Sequence, residues 1–111
     1  MNSLIDIKEP LILASKSPRR AQLLRQIGLD FRVIAGDMAE KMDNSGEPAA
    51  LAVALSLAKA QHVADKVAAG LVIGADTIVV LQEKFLGKPA DREEAFTMLR
   101  YLSGRTHQVY T

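Results

Sequence analysis

Apolar and polar positions along this chain alternate between two periods. Leu11-Ile12-Leu13-Ala14 is a short continuous apolar run, as expected of a buried strand over 11–15. From Pro18 the spacing turns helical, through Ala21-Gln22-Leu23-Leu24-Arg25-Gln26-Ile27, until Gly28 stops it. Phe31-Arg32-Val33-Ile34-Ala35 predicts a second strand. Residues 36–47 are polar and rich in Gly, Asp and Asn, as in a loop. Pro48 opens an Ala- and Leu-rich helix running to about Val67, closed by Ala69-Gly70. The most apolar stretch, Leu71 to Leu81, predicts one long strand. Gln82-Glu83-Lys84 turns it into a hairpin with Phe85-Leu86-Gly87-Lys88. Asp91 and Glu94 have the spacing of a capping box at the start of a last helix, which Ser103-Gly104 closes. On this helix Phe96, Met98 and Leu99 read as core. His107-Gln108-Val109-Tyr110-Thr111 is a further strand, and the order of elements predicts an α/β fold.

Composition narrows this picture without choosing a function. A chain of 111 residues that is 49% hydrophobic is one domain or part of one. A net charge of +1 gives no reason to expect a nucleic-acid surface. With no cysteine, disulfide and thiolate chemistry are excluded. Residues 1–15 include Asp6, Lys8 and Glu9 and do not read as a signal peptide. The longest apolar run is too short to span a bilayer, so the expected setting is soluble and cytoplasmic.

The chemically informative segment is Ala14-Ser15-Lys16-Ser17-Pro18-Arg19-Arg20, where a strand meets a helix. Ser17 suits the N-cap and Pro18 the first helical position. Two arginines in a first turn oppose the helix dipole, and a bound phosphate would remove the conflict. Solvated arginines on a capped surface helix are the plainer alternative. Asp76 is the second candidate, a carboxylate within the apolar stretch 71–81, where an unpaired charge would be costly. There it could bind a divalent metal or serve as general base for water; hydrogen bonding to backbone and Thr77 is the structural alternative. Glu40, Lys59 and Lys88 are weaker candidates taken singly. No P-loop or dinucleotide fingerprint is present, and His62 and His107 lack partners at metal-site spacing.

Taken in order, Leu11–Arg20, Glu40, Ala58-Lys59-Ala60, Gly74-Ala75-Asp76-Thr77, Gly87-Lys88-Pro89 and Ser103-Gly104 with His107-Gln108-Val109 resemble the Maf family of nucleoside triphosphate pyrophosphatases. The resemblance implies a Maf/ITPase-like two-lobed α/β architecture, a mixed sheet with flanking helices. It also implies hydrolysis of a nucleoside triphosphate between its α and β phosphates with a divalent metal, Mg2+ or Mn2+. By position, Asp76 resembles the family's catalytic proton acceptor. Ser15, Ser17, Arg20, Lys59 and Lys88 resemble its phosphate-binding residues, and Glu40 joins Asp76 as a metal ligand. Arg19 and Thr77 resemble the specificity residues of members acting on dTTP and UTP. The branch acting on 7-methyl-GTP carries an aromatic residue and Gln at those two places.

The family's second half carries a D-K-A-G-x-Y-G-x-Q segment that is absent here, so residues 1–111 are expected to be the N-terminal portion of such a domain. The sheet would then have an unprotected edge, which a homodimer would cover in part. The alternatives are a weakly active or inactive nucleotide-binding protein with a septum-related role, or a 7-methyl-GTP pyrophosphatase.

Overall fold

The computed structural model describes residues 7–36 and 46–111, and it divides into two compact units. One takes the described residues up to Gly36 together with Leu55–Ala75; the other takes 46–54 and 76–111. The α/β class holds, with parallel strands in the first unit and antiparallel strands in the second.

In the first unit a three-stranded sheet has strand β1 (Leu11–Ala14) at its centre, with β2 (Arg32–Val33) on one side and β3 (Leu71–Gly74) on the other. Both pairings are parallel, Ile12 opposite Arg32 and Val72, Ala14 opposite Gly74. All four β1 residues are buried, as its unbroken apolar run requires of a central parallel strand. Ile12 and Ala14 pack with Val63 of helix α2 (Pro48–Ala64), and Ile34, Val67 and Val72 close around them. The β2 strand is shorter than the run 31–35 suggests, although Ile34 N still donates to Leu13 O at 3.0 Å.

Helix α1 (Pro18–Gln26) ends as its sequence dictates. Gly28 takes φ +83°, its N–H reaches Arg25 O at 3.0 Å, and Leu29 N–H reaches Leu24 O at 3.2 Å. These two bonds form a Schellman closure, and the left-handed residue it needs is the glycine.

The second unit is an antiparallel sheet with β4 (Ile78–Leu81) between β5 (Lys84–Leu86) and β6 (Gln108–Tyr110). Gln82 and Glu83 form the two-residue turn joining β4 to β5, both with positive φ, at 50° and 67°. That is the twist-matching hairpin geometry usually given to Asn-Gly. Ile78, Val80, Leu81 and Phe85 supply the buried side chains. Helix α3 (Arg92–Leu102) starts at Asp91, whose carboxylate accepts from Glu94 N at 2.8 Å.

Two sequence expectations are corrected. The apolar stretch 71–81 is two strands, β3 and β4, which belong to different sheets; Ala75-Asp76-Thr77 is the break between them. Helix α3 buries none of its residues: Phe96 is 62% and Leu99 67% exposed, and Met98 is half-buried. Apolar spacing identified the helix correctly but could not supply a surface to cover it. No helix among the described residues is long and apolar enough to cross a membrane.

The tightest backbone approach in the first unit is at Gly74. A Cβ there would run into the Ser56 carbonyl oxygen of α2 and lie 3.0 Å from the Ala60 Cβ. Because the Ser56 obstacle is helix backbone, strand or helix must move to relieve it. Gly74→Ala is expected to lower stability by about 1–3 kcal/mol, the usual cost of overpacking. A urea titration should show the midpoint fall with little change in slope; an unmoved midpoint would mean that α2 yields freely.

Candidate functional site

The residues singled out from the sequence fall into two groups, one in each unit. The first is built at the joint from β1 to α1. Ser15 immediately follows the buried strand and is itself only 6% exposed. Its Oγ accepts from Ser17 N at 3.1 Å and from Arg20 Nη1 at 3.3 Å. Ser17, the α1 N-cap, accepts from Arg20 N at 3.3 Å. Arg20 is therefore gripped at both ends, its amide by one serine and its guanidinium by the other. Such a grip lowers the entropy lost when the fork engages a ligand. Arg19 is exposed, and the first turn of α1 holds no acidic residue. The joint thus combines a helix N-terminus with two guanidinium groups, an arrangement suited to a phosphate.

Lys59 is half-buried on α2, in the Ser56–Ala60 turn that packs on Gly74. The same close approach that excludes a side chain at position 74 sets the depth of this helical turn. Glu40 lies outside the described residues.

The second group begins at the break after β3. Asp76 is 7% exposed, and its Oδ1 accepts from the Thr77 amide at 3.0 Å. The sequence expectation of a carboxylate inside a strand is replaced by a carboxylate at a strand junction. The physical reason is local: an aspartate side chain that binds the next residue's N–H competes with ladder hydrogen bonding. Burial of the charge is offset in part by that bond, the one that the structural alternative for Asp76 expects. Thr77 is exposed, and its Oγ1 lies 3.1 Å from Thr111 Oγ1. Lys88 is exposed just beyond β5. Thr111 drew no notice in the sequence, because its relation to Thr77 exists only once β4 and β6 are in register.

For a metal, the described residues provide no group of three or more His, Cys, Asp or Glu side chains. Asp76 offers one hard carboxylate. That donor fits Mg2+ or Mn2+, ions that commonly take one or two protein carboxylates and complete their shell with water and substrate phosphate oxygens. A groove of about 690 Å³ in the second unit, lined among others by Glu47, Glu83, His107 and Tyr110, contains none of the candidate residues. Its lining has no Lys or Arg, so it is not suited to polyphosphate.

The sequence that builds these two groups is similar over most of its length to known proteins. The dTTP/UTP pyrophosphatase of Ruminiclostridium cellulolyticum is 53% identical over 102 residues, covering 91% of this chain and 53% of that protein. The protein of the same name from Thermoanaerobacter sp. is 52% identical over 102 residues, with the same coverage of both chains. That of Bacillus anthracis is 44% identical over 101 residues, again 91% of this chain and 53% of the relative. The chain therefore spans about half the length of the curated relatives it matches. A family model described as Maf-like protein matches residues 10–111. With nearly its whole length matched, and the serine–arginine joint and the buried aspartate both within the match, the chain belongs to the Maf family.

Proposed function

We propose that this chain carries part of a dTTP/UTP pyrophosphatase, which hydrolyses these nucleotides to the monophosphate and pyrophosphate. The observation that carries the reading is its 53% identity to a relative of that name across the segment holding Ser15, Arg20, Asp76 and Thr77. In the proposed reaction water attacks the α phosphorus and the bond from that phosphorus to the bridging oxygen breaks. The bridging oxygen leaves with pyrophosphate. Asp76 takes the proton from the water, a role suited to a carboxylate shielded from solvent and held by the Thr77 amide. Arg20 holds phosphate oxygens with its guanidinium fork, oriented by Ser15 and Ser17. Lys59 and Lys88 supply further positive charge against the developing negative charge. Asp76 and Glu40 would hold the divalent metal, which supplies charge neutralisation at the phosphates when bound. Arg19 and Thr77 would contact the base.

Selectivity tests this reading directly. In a chain continued to its relatives' length, pyrophosphate release with Mg2+ or Mn2+ should be faster from dTTP and UTP than from CTP, purine triphosphates or 7-methyl-GTP. A flat profile, or preference for 7-methyl-GTP, overturns it. Asp76→Asn keeps the shape but loses the charge, so kcat on dTTP should fall by about two to four orders of magnitude with the fold retained. Near-normal turnover would assign water activation to another residue. Arg20→Ala should weaken pyrophosphate binding by about ten- to a hundredfold in calorimetric titration, the worth of a charge-assisted hydrogen bond. Equal affinity in both proteins would remove Arg20 from the phosphate site.

A further inference from the structure

We propose that the face of α3 bearing Phe96 and Leu99 is an interface for the remaining half of the domain, the residues that follow 111 in a chain of its relatives' length. Family membership and chain length carry this assignment, independently of the substrate reading above. After the first turn of α3 the polar residues are Thr97 and Arg100, neighbours on one side of the helix. Ala95, Phe96, Met98, Leu99, Tyr101 and Leu102 take the remaining positions. At about 100° per residue they reach more than halfway round the helix. A helix lying on the surface of a domain needs an apolar stripe only about 100° wide. This one is written for cover on two sides.

The described residues supply one of them. Ala95, Met98, Tyr101 and Leu102 are half-buried, and the Tyr101 ring lies 5.5 Å from the Lys84 cation of β5. Phe96 and Leu99, on a different side, are 62% and 67% exposed. Strand β6 is open in the same unit: it pairs with β4 along one edge, and no described strand takes the other. Its Val109 is 56% exposed. Length identifies the occupant, since about half of each relative lies outside the matched segment. An 11-residue helix is marginal in water without tertiary cover, so its cover must be present whenever the domain is folded. Residues 103–107 join α3 directly to β6, and a segment continuing from β6 is therefore tethered close by. It meets the need at any protein concentration, whereas a second copy does so only above its dissociation constant.

The test uses no nucleotide, and a chain of the relatives' length in which any cysteine beyond residue 111 is replaced by serine. Residues 1–111 contain no cysteine, so Leu99→Cys and Thr97→Cys each carry a single thiol. Below their cooperative unfolding transitions, Leu99→Cys should react with a maleimide at least about tenfold more slowly than Thr97→Cys, as a covered position opens only rarely. In a second variant p-benzoylphenylalanine, a photocrosslinker of similar shape, replaces Phe96. Irradiation should join it to a residue beyond 111 within the same chain, located by mass spectrometry at the mass of one chain. Equal thiol rates, or crosslinks confined to residues 1–111, overturn the assignment. A product of twice the chain mass also overturns it and gives the face to a second copy. Each of these failures leaves the nucleotide reading standing.

Discussion

At Gly74 the last residue of β3 approaches α2 so closely that no side chain can stand between them. Strand β3 is held on its other side by four consecutive pairs with β1, ending at Ala14 opposite Gly74. The same two residues lead into the candidate chemistry: Ser15 follows Ala14, and Asp76 comes two positions after Gly74. The parallel pair, with β1 fully buried, thus sets where the Ser15 segment leaves its strand in the first unit. This placement at strand ends is the general habit of α/β sites, where chemistry sits just beyond the carboxyl ends of parallel strands.

Beyond those ends, side-chain hydrogen bonds of 3.0–3.3 Å do the orienting. Ser15 and Ser17 hold Arg20 from two sides, and Asp76 and Thr111 hold Thr77 from two sides. The logic is the same in both groups. A side chain whose orientation is already fixed loses less freedom on engaging its ligand, so more of the contact energy survives as binding or selectivity. The serine–arginine joint also sets two arginines in a first turn of α1 that has no acidic residue. A polyanion would meet donors and charge together there.

Helix α3 has a different balance. Its cap is sound, and Tyr101 lies under the cations of Lys84 and Arg105 at 5.5 and 5.2 Å. Cation–π contacts at exposed sites contribute only about 0.5–1 kcal/mol each. An 11-residue helix is marginal in water without tertiary cover. Phe96 and Leu99 stand exposed in a chain that spans about half the length of its relatives.

Some of this was legible in the residues alone. Ser17, Pro18 and Gly28 bound α1, and Asp91 starts α3, because caps and closures are made by groups a few positions apart. The unbroken apolar run of β1 likewise foretold its burial. Glu40, a sequence candidate, lies outside the described residues, so its place stays as the sequence left it. Other features needed distant partners. Periodicity joined residues 71–81 into one strand because both halves are equally apolar; only pairing with β1 on one side and β5 and β6 on the other divides them at Asp76. Apolar spacing assigned Phe96 and Leu99 to a core, yet burial depends on a facing surface that local sequence does not encode. The Thr77–Thr111 contact spans 34 positions and exists only through the register of β4 with β6. Local hydrogen bonding and hydrophobic period were determined by the sequence itself; strand register and burial were decided only when the chain folded back on itself.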